Sequence, residues 1–339
     1  MKFGLVPVED AVGALAAHSV RAGEATLRKG TLVSPEVALQ LKQAGVETII
    51  AARFEPGDIG EDEAAGRLAR ALAGENVVVE APFTGRSNLY AETSGVLVID
   101  VDAINGLNAV DEAMTAATLP AYKPVVAGEM VGTLKIIPYS IPEALLQKGI
   151  ERAGKSALRI APYTRRSVSV VSTVLPSLKQ SVIDKTLAVL SRRLGPTHAR
   201  IVQEHRVPHD AAALAQELAA QAKGDADLIV VFGASAIADR RDVIPSAIEM
   251  AGGKVEHFGM PVDPGNLLLV GSIADKPVIG APGCARSPKE NGFDWILHRL
   301  LADIPVRRAD IMALGVGGLL MEIISRPQPR EGGESEGEE

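Results

Sequence analysis

From Ser167 onward the chain alternates short apolar runs with segments of helical length, and few patterns restrict a fold more. SVSVVST is followed by an expected helix over 184–193, ARIVQE, a helix over 211–222, DLIVVFG, and a helix over 244–251. Short strands are expected at 267–270 and 277–279. A last helix begins near Trp295, where Leu297, Leu300 and Leu301 recur at roughly helical spacing. Alternation of strand with helix predicts an α/β fold: a three-layer, mostly parallel sheet with helices on both faces and ligands at the carboxyl ends of its strands.

The half that precedes it has another texture. Ser34 and Pro35 read as the cap and first residue of a helix that Gly45 stops, with VETIIAA as the next strand. A helix is expected over 61–73. Runs rich in Val and Ile between Asn76 and Pro142 (NVVVEA, GVLVID, KPVVAGEMVGTLKIIPY) predict a mostly β module with a helix over 102–117. The expected organisation is an α/β segment over 1–75, a β-rich module over 76–150, the main α/β domain over 160–305, a helix over 306–325 and an acidic, disordered tail over 326–339. The large domain is thus preceded by a smaller α+β, β-rich region.

Composition excludes some classes of function. A formal charge of −7 argues against a generic nucleic-acid binder, so any anion site must be a local basic pocket. One cysteine excludes an internal disulfide or a CxxC motif. No signal-like start and no apolar stretch of membrane length occur, which predicts a cytoplasmic protein without a membrane.

Two strand-to-helix loops of the second half carry polar residues. In VVFGASAIADRRDVIPSA, Gly233, Ala234 and Ser235 allow close backbone approach, and Asp242 heads the next helix either as a site carboxylate or as its cap. In VIGAPGCARSPKENGFDW, Pro282 and Gly283 shape a turn, while Arg286, Lys289 and the following helix N-terminus favour an anion. His205 and His209 lie four apart, but Pro208 breaks any helix that would align them on a metal, and the stretch reads as a loop into a helix capped by Asp210. The Arg residues of LSRRLGPTHAR read as the polar end of a helix. Neither GxxxxGK[ST] nor GxSxG occurs.

Taken in order, these motifs resemble the molybdopterin-binding domain shared by molybdopterin molybdotransferase and molybdopterin adenylyltransferase, from about Ser167 to Asp303. VSVVST is similar to the first strand and Ser/Thr turn of that family, HRVPHD to its valine-proline-aspartate segment, and FGAS with RRDVIPSA to its glycine-rich loop and following Asp. MPVDPG and VIGAPGCARS resemble its Met-Pro-Gly segment and Leu-Pro-Gly turn, and KGTLVSPEVALQLKQAGVETIIAAR the segment that precedes the domain in molybdotransferases. The resemblance implies ligand contacts from Ser172, Thr173, Gly233, Ala234, Ser235, Asp239, Pro264, Gly265, Pro282, Gly283, Cys284, Arg286, Ser287 and Lys289, with Asp242 as the catalytic or metal-holding carboxylate. It implies binding of molybdopterin or molybdenum cofactor during cofactor biosynthesis or maturation, the pterin being bare or nucleotide-linked and Mg2+ an open accompaniment.

The departures bear on activity. The family's GGxSxG loop reads here from Phe232 to Ile237 as FGASAI, and its Gly-Asp-Glu is replaced by Val174, Leu175 and Pro176. Binding is therefore the leading expectation. A transferase acting on molybdopterin and a carrier that docks on a molybdoenzyme or cytidylyltransferase are the alternatives, with a homo-oligomer left open. Cys284, where the family has Asn, is expected to be a small residue lining the pocket, since no His in the local stretch offers it a base.

Overall fold

SVSVVSTV has its polar and β-branched residues packed too densely for anything but a strand covered from both sides. In the computed structural model, which describes residues 1–320, six consecutive residues of this strand are buried. The described chain forms two compact units that divide between Ala161 and Pro162.

In the second unit we number the elements β1 (Ser167–Val174), α1 (Gln180–Leu194), β2 (Arg200–Pro208), α2 (Ala211–Lys223), β3 (Leu228–Phe232), α3 (Val243–Met250), β4 (Lys254–Phe258), β5 (Leu269–Ile273), β6 (Lys276–Ala281), α4 (Gly292–Leu301) and α5 (Arg308–Met312). They build a six-stranded sheet in the order β2-β1-β3-β6-β5-β4. β1 pairs in parallel with β2 and β3, and β3 with β6; β5 and β4 complete the sheet antiparallel. The expected α/β fold with a mostly parallel sheet is the fold observed.

Alternation along the strands assigns the two faces. Val171, Ile229, Val231 and Val278 pack with Leu214 and Leu218 of α2 and Ile244 and Ile248 of α3. On the other face Phe232 meets Phe293 of α4 at a ring separation of 6.5 Å. Burial on both faces explains why these strands read as nearly continuous apolar runs. β2 continues through His205 to Pro208, so HRVP is strand rather than loop, and Asp210 caps α2 as expected by accepting from Ala213 N at 2.9 Å. β4, KVEHF, is a strand that its mixed polarity conceals in the sequence. Where one helix is expected over 306–325, the described residues hold only the five-residue α5, because Gly315, Gly317 and Gly318 interrupt any continuation. Residues 321–325 and the predicted acidic tail lie outside the described residues.

The first unit carries two apolar cores. Val8, Leu27, Leu41 and Ile49 form one, around a sheet of Lys2–Pro7, Thr48–Arg53 and Leu15–Ala16 and the helix Pro35–Gln43. Ser34 caps that helix as read from the sequence. The other gathers Leu68, Leu89, Leu107, Leu134 and Leu158. Because the helix Glu61–Leu72 buries Ala64, Leu68 and Leu72 in this second core, the cores divide before residue 61 rather than near the expected 75. The helix expected over 102–117 stops at Asn108. Its side chain then acts as a strand neighbour, donating to Ala116 O at 2.9 Å and accepting from Ala116 N at 2.7 Å, and Met114–Thr118 runs as a strand.

Candidate functional site

β1, β2, β3 and β6 run parallel and end at one edge of the sheet, and the segments that follow them are joined there by side-chain hydrogen bonds. Thr173, near the end of β1, accepts the Ala234 N–H at 2.8 Å and shares a 2.8 Å hydrogen bond with His209 Nδ1 beyond β2. Arg286, beyond β6, donates to Gly233 O at 2.7 Å and to Thr186 of α1 at 3.1 Å, with its guanidinium 5.6 Å above the Phe232 ring. Four strand ends are therefore linked through three side chains. Arg286 is half-buried, and burial lowers its pKa from the ordinary value without a carboxylate to offset it.

Gly233 sits where only glycine fits, since an added Cβ would lie 2.6 Å from Ser235 O and 3.1 Å from Ile244 Cδ1. Ser172, one residue before Thr173, is 2% exposed and its hydroxyl has no hydrogen-bond partner. A buried hydroxyl without a protein partner is uncommon, and this one lies next to the loop-joining Thr173.

The loop after β6 is held by a residue that the sequence does not flag. Arg193, read as the polar end of a helix, is in fact buried, its side chain 8% exposed. It pairs with Asp294 at 2.5 Å, donates to the carbonyls of Ala285, Ser287 and Lys289 at 2.9, 2.7 and 3.0 Å, and lies 5.8 Å from the centre of the Phe293 ring. Asn291, 1% exposed, donates to Cys284 O and Lys289 O and accepts from Phe293 N. The loop is thereby fixed at both ends.

The same contacts correct one expectation. The N-terminus of α4 was read as an anion cradle, but its donors are occupied: Asn291 N by Asp294, Gly292 N by Pro264 O at 2.9 Å, Phe293 N by the Asn291 side chain, and Asp294 N by Asn291 O. Asn291 and Asp294 form a reciprocal capping box. Pro264 and Gly265 accordingly brace α4: a Cβ at Gly265, whose φ is +142°, would lie 2.8 Å from Gly292 N.

The remaining predicted residues sort by exposure. Ser235 and Lys289 are exposed beside the network, as is Gly283. Pro282 and Ser287 flank the short 3-10 turn Gly283–Arg286, with Ser287 N bonded to Cys284 O at 2.9 Å. Asp239 pairs with Arg241 at 2.7 Å, which holds its carboxyl below the usual range. Asp242 uses both carboxylate oxygens as a cap, accepting from Val243 N at 2.8 Å and Ala238 N at 3.0 Å. Among the described residues no three His, Cys, Asp or Glu side chains converge on a metal position. Burial pushes the Cys284 thiol up, which suits a packed rather than a nucleophilic cysteine.

Residues 167–303 match the family model described as a probable molybdopterin binding domain. This stretch resembles the domains of that family. Residues 5–53 match the model of a domain of unknown function. No curated protein matches the chain. Among solved structures, a molybdopterin biosynthesis MoeA protein from Pyrococcus horikosii is similar over 89% of this chain and 75% of its own, at 14% identity and a TM-score of 0.33. A molybdenum cofactor biosynthesis protein B is similar over 42% of this chain and 96% of its own, at 17% identity and a TM-score of 0.31. The matched stretch therefore coincides with the parallel sheet and the loops just described, and ends two residues after α4. No helix among the described residues is long and apolar enough to cross a membrane.

Proposed function

We propose that the protein binds molybdopterin or molybdenum cofactor, bare or nucleotide-linked, during cofactor biosynthesis or maturation. The observation that carries this reading is the joining of the β1, β2, β3 and β6 ends through Thr173 and Arg286, inside the stretch that matches the molybdopterin-binding family. The residues fit a phosphorylated pterin: the orphan Ser172 hydroxyl, the close backbone at Gly233 to Ser235 and the exposed Lys289 ammonium offer donors, while the half-buried Cys284 supplies packing surface. Arg286 acts first as the tie between two loops, and its remaining N–H groups are the ones free to reach a phosphate.

Binding is favoured over transfer by Asp242. In a transferase this carboxylate would hold Mg2+ beside the reacting phosphate, yet both its oxygens already accept backbone N–H groups. The test is a titration of the purified protein with molybdopterin, together with mass spectrometry of whatever copurifies. Saturable binding that Lys289→Ala and Ser172→Val both weaken is expected. Absence of binding, or conversion of adenylylated molybdopterin in the presence of molybdate and Mg2+, would replace this reading, the latter with the enzyme.

A further inference from the structure

His209 interrupts the valine-proline-aspartate segment between β2 and α2, and its position is over-determined. Its backbone N–H donates to Val174 O at 2.9 Å, and its ring nitrogen Nδ1 lies 2.8 Å from Thr173 Oγ1. Thr173 is 1% exposed, so its hydroxyl proton needs an acceptor within the protein. The other partner of that oxygen, the Ala234 N–H, is a donor and cannot serve. The acceptor is then His209 Nδ1, which must be unprotonated. The ring is thereby neutral and carries its hydrogen on Nε2. Nε2 has no partner among the described residues and is not among the buried unpaired atoms, so in this half-buried side chain it reaches solvent.

We infer that His209 is a specificity residue of the site, presenting a neutral Nε2–H to a carbonyl oxygen of the ligand's heterocycle, at the end opposite the ligand's phosphate. This rests on the pterin-binding reading above. Two observations choose the heterocycle. Asp210, the next residue, places a carboxylate on the α2 cap, which disfavours an anion beside His209 and tolerates a neutral acceptor. The β2 and β6 ends are three strand spacings apart in the sheet order, roughly 14 Å at about 4.8 Å per step; at the β2 end Arg206 is paired with Glu204 and Asp184, whereas Arg286 and Lys289 at the β6 end have no carboxylate partner among the described residues. A ligand that is charged at one end and a hydrogen-bonding heterocycle at the other matches this polarity.

The tautomer is tested first, by nitrogen and carbon NMR of the histidine rings in the intact protein, with His209→Gln identifying the signal. An Nε2–H ring is expected, and an Nδ1–H or cationic ring near neutral pH overturns the inference. Titrations with molybdopterin then compare His209→Gln, whose amide nitrogen can stand near the Nε2 position, with His209→Asn and His209→Phe. The Gln variant should bind within about threefold of the wild type and the other two about tenfold or more weaker, while inorganic phosphate, used as a competitor, keeps its inhibition constant in all three. Equal molybdopterin affinity across the variants removes His209 from the site and leaves the general reading standing. A parallel loss of phosphate competition assigns the residue to the anion end instead and overturns the inference. If the wild-type chain binds phosphate but no molybdopterin, the pterin reading falls and the inferred contact with it.

Discussion

Arg193 holds the loop after β6 through four acceptors, and nothing local in LSRRLGPTHAR announces it, because those acceptors lie 92 to 101 residues away. Arg193→Met should strand the Asp294 carboxylate in a largely buried position and cost about 3–5 kcal/mol, measured by urea unfolding. Adding Asp294→Asn should recover part of this by removing the stranded charge. Thr173 and Asp242 show the opposite degree of legibility. Asp242 is a preferred capping type directly before an apolar helical pattern, so its cap could be read locally, whereas its second contact, from the Ala238 N–H in the preceding loop, could not. Cys284 gives a second residue-scale prediction. With burial raising its pKa, alkylation should be slow at neutral pH and accelerate only above the usual thiol range. Cys284→Ser should leave molybdopterin affinity within about twofold, since small buried thiols serve mainly as packing groups. Rapid modification at pH 7 would contradict the packed role.

At the scale of elements, the sequence was most informative where capping chemistry is local. Ser34, Pro35 and Gly45 delimit one helix, and NGFD, a capping box, opens α4. That box was present to be read and carries a consequence: a helix start whose donors are consumed by its own cap is braced, not vacant. Asn291→Ala should therefore destabilise the protein by about 2 kcal/mol, at the upper end for caps, since the same side chain also holds two loop carbonyls. Thermal unfolding with and without ligand would check this. In the first unit the helix Glu143–Ala153 begins with a carboxylate held by Arg67, at 2.5 and 2.8 Å. Hydrogen bonding from Arg67 takes the Glu143 pKa from the ordinary 4.5 to about 2. The folded-state value is depressed, so this contribution is complete above about pH 4.5 and disappears as pH falls towards about 2. Arg67→Met should flatten the pH dependence of stability within that window. An unaltered acid profile would show the pair to be energetically silent, as exposed pairs often are.

For the whole molecule, alternation in the second half sufficed to read the parallel sheet, because burial on both faces writes itself into apolar runs. The first half was harder: its helix Glu61–Leu72 joins a core formed mainly by later strands, a partnership of long sequence range that no local period encodes. Separate cores in the two units predict that calorimetry resolves more than one cooperative transition, with Arg193→Met lowering the one assigned to the second unit and Arg67→Met the other. A single transition shifted equally by both would refute it. The outer strands of the six-stranded sheet carry a final consequence. β2 is nine residues long and forms one rim, but Arg200, Glu204 and Arg206 stud it and Pro208 ends it; at the opposite rim β4 carries Lys254 and Glu256. A neighbouring chain that tried to extend this sheet would have to bury those charges against its own backbone, so the rims resist fibril growth and keep concentrated protein colloidally stable.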